Sequence, residues 1–216
     1  MTVRSVLTGD LIRSTHLSDA GLNDARQTAL SAATQLSTWE KGLLGAQPEF
    51  FRGDSWQVLL MRPGFFLRAA ILMRAKLRSA NDAWDTRIAV GIGEVSRIDR
   101  NRTSLSSGEA FLLSGQALDR MGVNTRLVVA TPNGLWRTLD PLAQMCSAIM
   151  DDWTSKQAEI ASLALAPAPS MQSEIAERLG ISQQAVSKAL SAAKVGAVLR
   201  ACSVVEGLSW NHVRLM

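Results

Sequence analysis

Cysteine and histidine are scarce in this sequence, with two of each among 216 residues. Cys146 and Cys202 sit inside apolar helical patterns, which points to reduced thiols in a core rather than a disulfide framework or a metal site. His16 and His212 stand apart without partners at ligand spacing, so no zinc centre is indicated. No apolar run approaches the roughly 18–20 residues that span a bilayer, and the first residues lack the hydrophobic stretch of a signal peptide. Internal repeats and low-complexity tails are missing as well. The expectation is a soluble, cytoplasmic protein without a membrane partner, long enough for one large or two small domains. Charge is modest too. Lys and Arg number 23 against 19 Asp and Glu, a net +4, enough for phosphate contacts but not for a strong non-specific field.

What is present is most informative near the end. Gln172 to Leu190 reads Q-S-E-I-A-E-R-L-G-I-S-Q-Q-A-V-S-K-A-L. Ile175, Ala176 and Leu179 recur at helical spacing, Gly180 supplies a left-handed residue for a turn, and Ser182 can cap a second helix that packs inward through Val186 and Leu190. Ala176 sits where the two helices cross, and a larger side chain would force them apart. Ser182, Gln183, Gln184, Ser187 and Lys188 are left facing outward, a set able to hydrogen-bond base edges or phosphates from the start of a helix. The pattern resembles the bacterial helix-turn-helix and predicts binding to double-stranded DNA. Upstream, Thr154 and Gln157 form a capping box, and helix follows until the Pro167-Ala168-Pro169 break. Downstream, Val195 to Met216 is apolar enough for a further helix, and Leu208 to Leu215 has room for one short strand.

The first 130 residues follow another rule. Val3 to Leu7 is a short strand ending at Thr8-Gly9-Asp10, and a long helix is expected from about Asp19 to Leu44. Two apolar runs, Pro48 to Phe51 and Trp56 to Met61, flank Arg52-Gly53-Asp54-Ser55, which reads as a tight hairpin turn. A helix over about Gly64 to Asn81, a strand over Arg87 to Val95, a helix over about Ser107 to Met121 and a strand over Arg126 to Ala130 complete the series. This order predicts an α+β fold, a ferredoxin-like βαββαβ sandwich with one more helix, followed by an all-α helix-turn-helix domain. Expected limits are 1–132 for the first domain, 133–150 for a connecting helix and 151–216 for the DNA-binding domain. The basic side chains of the second helix, Arg68, Arg74, Lys76 and Arg78, read as a solvated face.

Asp10 at the end of the first strand and Asp54 in the hairpin turn are placed like the metal-binding pair of the class III nucleotidyl cyclase and GGDEF superfamily. Two carboxylates at adjacent strand ends repel each other unless a cation offsets them, and they can hold Mg²⁺ against a triphosphate. Arg87 to Val95 (R-I-A-V-G-I-G-E-V) is similar to the Gly-rich strand of cyclases, and Ser107 to Phe111 with Gln116 to Leu118 is similar to the helix that follows. With the C-terminal module, the whole chain resembles the SatD-type family, in which a cyclase-like domain is fused to a DNA-binding one. The resemblance implies Asp10 and Asp54 as metal ligands. Arg52 and Gly53 of the hairpin would lie at a bound nucleotide, Trp56 near its base, and Arg97, beside Arg100 and Arg102, at its phosphates.

The departures point the other way. Phe50 stands where cyclases carry a base-recognising Lys, and Leu112 and Gln116 stand where Asn and Arg stabilise the transition state. Without a cation aimed at the developing charge, most rate enhancement is lost, so no catalytic residue is assigned. The reading is a homodimeric DNA-binding transcriptional regulator whose cyclase-like domain senses a nucleotide, with Mg²⁺, or mediates pairing. The alternative is a nucleotide-processing enzyme tethered to DNA.

Overall fold

The computed structural model describes residues 2–51, 53–132, 137–168 and 170–210. Five strands and eight helices are assigned among them, in a mixed α+β arrangement. The strands are β1 (Val3–Leu11), β2 (Glu49–Phe51), β3 (Ser55–Leu60), β4 (Thr86–Glu94) and β5 (Leu127–Ala130). Interleaved with them run α1 (Asp19–Gln35), α2 (Phe66–Ala80) and α3 (Glu109–Asp119), and α4 (Leu139–Asp151) follows β5. The sheet order is β2-β3-β1-β4-β5. Central β1 is antiparallel to both β3 and β4, which is the split arrangement of a ferredoxin-like unit, and β5 joins parallel to β4 through α3.

Alternation along the strands sorts the side chains between two faces. Leu7, Leu11, Trp56, Val58, Leu60, Ile88, Val90 and Ile92 belong to the main core with α1 and α2. Val6 and Leu59 turn the other way and pack with Ala110 of α3. That helix can sit so low because the strand beneath it has no side chain at Gly91, where a Cβ would lie 2.0 Å from the Ala110 carbonyl oxygen.

Two boundaries differ from the sequence reading. β1 continues past Leu7 to Leu11, so Asp10 lies within the strand. α1 stops at Gln35, with a single 3-10 turn after it at Leu36–Thr38, short of the expected Leu44. Beyond it the chain runs extended along β3: the Gly45 amide donates to the Leu59 carbonyl at 2.9 Å and the Met61 amide to the Leu43 carbonyl at 2.8 Å. An open strand edge claims these residues despite their helical propensity.

α2 corrects a third expectation. Its basic residues do not form a solvated face; Arg74 is fully buried and Arg68 is 5% exposed. The reason is that α2 is covered twice, by the sheet on one side and by later helices on the other. Arg68 forks onto Glu206, with Nε–Oε1 2.5 Å and Nη2–Oε2 2.9 Å, and reaches the Leu165 carbonyl at 3.0 Å. Arg74 donates to Asp85 (2.9 and 2.5 Å), Asp151 (2.7 Å) and the Ser147 hydroxyl (2.8 Å). Burial alone would pull the Arg74 guanidinium down, but hydrogen bonds and charge from Asp85 and Asp151 outweigh it and hold it above its ordinary value. Fork-to-carboxylate geometry suits Arg and would not suit Lys.

After α4 come α5 (Ser155–Ala164), α6 (Gln172–Leu179), α7 (Gln183–Ala192) and α8 (Val195–Glu206); α4, α5 and α8 are the ones that cover α2. Ala69, Ala70 and Ala75 of α2 and Ala158 and Ala161 of α5 are all buried in the one core, and such small side chains let the two axes approach closely. Thr154 and Gln157 make the expected reciprocal capping box at the start of α5, a feature contributing about 1 kcal/mol. Cys202 of α8 and Cys146 of α4 are buried and unbridged, and burial pushes their thiols up to about 12 and about 11. The main core is thus continuous from Val3 to Val205 across the expected boundary at 132. The expected strand beyond Leu208 lies mostly outside the described residues, as do His212 and Pro169. No helix among the described residues is long and apolar enough to cross a membrane.

Candidate functional site

Asp10 and Asp54 are brought together. Asp10 pairs in register with Ser55 on β3, and the Leu11 amide donates to the Asp54 carbonyl at 3.2 Å. Both acids line one open cavity of about 350 Å³ at the end of the sheet, together with Arg13, Ser14, Arg87 and Arg126. Gly53 beside them has φ +84°, as the tight hairpin requires.

The charge that offsets the two acids is supplied by the protein. Arg87 lies opposite Asp10 on β4 and its guanidinium forks onto both Asp10 oxygens, with Nε–Oδ1 at 2.9 Å. Asp54 accepts a 2.5 Å hydrogen bond from the Ser14 hydroxyl. Hydrogen bonding to Asp10 raises the Arg87 guanidinium above its ordinary value against a desolvation penalty, and the charges of Asp10 and Asp54 add to the effect. A hard divalent cation needs free carboxylate oxygens and a near-octahedral oxygen shell. Here both Asp10 oxygens are engaged, and the described residues hold no cluster of three or more acidic, His or Cys ligands. As arranged, the pair fits a guanidinium rather than Mg²⁺. Arg13 adds a left-handed backbone, φ 55°, at the rim, an uncommon conformation for a non-glycine residue.

Other candidates fall elsewhere. Trp56 is 2% exposed, donates from Nε1 to the Thr86 hydroxyl at 2.9 Å, and packs in the main core. It does not face a ligand, because position 56 alternates inward on β3. Arg97 is not beside the acids either. Its amide and carbonyl pair with Ser107 beyond the far end of β4, past Glu94, which at about 3.3 Å per residue is roughly 23 Å from Arg87 along the strand. Arg102 there pairs with Glu49 at 3.1 Å. Arg52 lies outside the described residues. Phe50 packs against the core, while Leu112 and Gln116 are exposed one turn apart on α3. Neither carries a positive charge.

Sequence reasoning missed Arg87, Ser14 and Arg126. For Arg87 a signal existed: in an antiparallel β1–β4 pair, an Arg at the start of one strand and an Asp at the end of the other meet on the same face. Ser14 opens a single 3-10 turn after β1 and Arg126 sits just before β5, and neither has a partner on an adjacent strand to point to it. A larger cavity, about 860 Å³, lies elsewhere, between α1 and residues 42–48. Its lining is largely apolar, with Arg100 as its one charge, so volume and chemistry disagree and convergent polar groups favour the smaller one.

The second candidate surface is built by α5, α6 and α7. Gly180 ends α6 with φ 63°, and the Ser182 hydroxyl accepts from the Ala185 amide at 3.2 Å to start α7. Beneath them a separate small core gathers Ile160, Ile175, Ala176 and Val186. Ser182, Gln183, Gln184, Ser187 and Lys188 are all exposed on α7 and its cap.

No protein-family model matches the chain, and no curated protein does. Among solved structures, that of the guanylyl cyclase Cya2 aligns with 16% identity and a TM-score of 0.44, over 59% of this chain and 74% of that one. An overlap this loose bears on neither activity nor ligand.

Proposed function

We propose that the protein is a DNA-binding regulator in which α7 reads the major groove and the five-stranded unit senses a ligand or pairs two copies. The observation that carries this reading is the row Ser182, Gln183, Gln184, Ser187 and Lys188, exposed along a capped helix whose opposite side sits on its own core. Gln is a bidentate partner for adenine, and Lys at the helix flank suits phosphate. In the described sequence context a single such unit contacts few bases, so the reading includes a two-fold dimer. Recognition helices would then lie about one DNA turn, roughly 34 Å, apart.

Selection from random duplex at physiological salt should therefore enrich a palindromic site. On that site Gln183→Ala or Gln184→Ala should weaken binding by about 1–3 kcal/mol and relax specificity. Lys188→Ala should weaken all sequences alike and lower the salt slope by about one. Failure to enrich any sequence would overturn the regulator reading.

For the five-stranded unit, we read the acid-and-arginine cavity as the sensing site, with a nucleotide or another phosphate-bearing molecule as its ligand and the rim around Arg13 as its entry. Nucleoside triphosphates, offered with and without Mg²⁺, should raise the melting temperature by several degrees when present at about a hundred times Kd. A rise seen only with Mg²⁺ should be abolished by Asp54→Asn. The alternative of a nucleotide-processing enzyme draws on the meeting of Asp10 and Asp54 in one cavity. Rapid pyrophosphate release that is lost in Asp54→Asn would establish the enzyme and sink the sensor.

A further inference from the structure

A series of hydrogen bonds, buried or half-buried except for the exposed one from Arg78 to the Asp151 carbonyl, leads from the acidic cavity to the end of α7. The Asp10 carbonyl accepts from the Thr86 hydroxyl at 2.6 Å, and the Thr86 amide donates to Asp85 Oδ1 at 2.8 Å. The Asp85 carbonyl also accepts from Ile12, next to the cavity loop, at 2.9 Å. From Asp85 the fork of Arg74 crosses to Asp151 at the end of α4. One turn along α2, Arg78 donates to the carbonyls of Asp151 (3.1 Å) and Trp153 (2.8 Å). The Trp153 indole, 3% exposed, then donates at 2.8 Å to the carbonyl of Ala193, which closes α7.

The backbone marks both ends of this series. Among the described residues, the non-glycine residues with positive φ are Arg13 and Lys194. Arg13 sits at the cavity rim, and Lys194 is the pivot between α7 and α8. Left-handed backbone at a residue with a Cβ persists only where its surroundings over-determine it. At Lys194 the surroundings include the indole that holds the preceding carbonyl. The junction is held locally by the Ala193 and Lys194 amides, which donate to Ala189 and Ser191 at 2.9 and 3.0 Å, and from outside by the Trp153 indole on the Ala193 carbonyl, so it is the point at which the series can act on α7.

We propose that occupancy of the Asp10–Arg87 cavity sets the orientation of α7 through Asp85, Arg74, Arg78 and Trp153. The biological sense of this coupling rests on the regulator reading, but its physical test needs no DNA. A ligand anion that draws Arg87 from Asp10 frees β1 and β4 to shift at Thr86, and the shift passes through rigid guanidinium forks rather than through compliant aliphatic packing. The Lys194 pivot then relaxes, and the exposed row from Ser182 to Lys188 turns with it.

The test is amide hydrogen exchange on the full chain, with Arg87→Gln standing in for a cavity whose ion pair has been drawn apart. Peptides covering residues 183–195 should exchange several-fold faster in Arg87→Gln, while those of α1 hold their rate. Trp153→Phe keeps an aromatic side chain but loses the indole donor and part of its volume, and in that background the response to Arg87→Gln should vanish. Asp151→Ala removes the carboxylate that accepts from Arg74 at a solvent-accessible position, a second break in the same route, and should blunt the response. Unchanged exchange at 183–195, equal acceleration everywhere, or a response that survives Trp153→Phe undiminished would each overturn the coupling. If the exchange response holds while random-duplex selection enriches nothing, the coupling stands and the DNA reading falls. If a site is enriched but exchange does not respond, the reverse is true.

Discussion

Replacing Arg74 by alanine should cost about 3–5 kcal/mol of folding stability, the range for removing one partner of a buried ionic network. The guanidinium is fully enclosed and serves two carboxylates and a hydroxyl, so its loss leaves Asp85, only 14% exposed at its side chain, with only the longer 3.5 Å pair to Arg78 against its charge. Asp151 is 47% exposed and can turn to water, so Asp151→Asn should cost far less, of the order of a surface pair, about 0–1 kcal/mol. Urea unfolding followed by tryptophan fluorescence measures both. A loss below about 1 kcal/mol for Arg74→Ala would mean that water reaches the network and that it behaves as a surface one.

Gly91→Val should be nearly as damaging, at about 3 kcal/mol, the upper end of the usual cost of overpacking. The obstacle is backbone: the Ala110 carbonyl oxygen at 2.0 Å and the Ser114 amide at 2.6 Å from the new Cβ. Neither can rotate aside, so α3 must lift as a unit. Lifting it would also break the buried link between the Thr8 and Ser114 hydroxyls, 2.8 Å apart. Gly115→Ala is the control, since nothing lies within 4 Å of its Cβ position and a helical interior gains up to about 1 kcal/mol from Ala over Gly. A fall in melting temperature of about 6–12 °C for the first variant, with none for the second, is the expected result. Equal melting temperatures would mean that α3 is not seated as described.

How legible this molecule is from its sequence depends on what each residue answers to. Period and punctuation carry well: Thr154 with Gln157, and Gly180 with Ser182, mark helix ends because caps are local chemistry. The succession of strands and helices along the first 130 residues was legible as well, since each run of strand residues is bounded by a turn. Arg68 and Arg74 were not legible. Their spacing on α2 matches a solvated stripe, and what reverses the reading is a second layer of helices that no local pattern announces. Trp56 was misjudged for a related reason. It follows the turn immediately, yet its parity on β3 aims it inward, and parity rather than proximity decides. At the acidic cavity, Asp10 and Asp54 could be paired by their places at strand ends, whereas their counter-ion Arg87 was in plain view as part of a strand valued only for its glycines.

One consequence of the double-covered α2 concerns how such a protein can be divided or recombined. A chain cut after residue 132 would keep every strand of the sheet yet present Ala69, Ala70, Ala75 and the Arg74 side chain to water, with the helices that shield them gone. The C-terminal helices alone would lose the face on which Ala158, Ala161, Val198 and Cys202 rest. The two halves are therefore not interchangeable cassettes. Any regrafting of α7 onto this scaffold has to respect α2 as a shared wall, altering only the exposed row of α7 and leaving its inward neighbours in place.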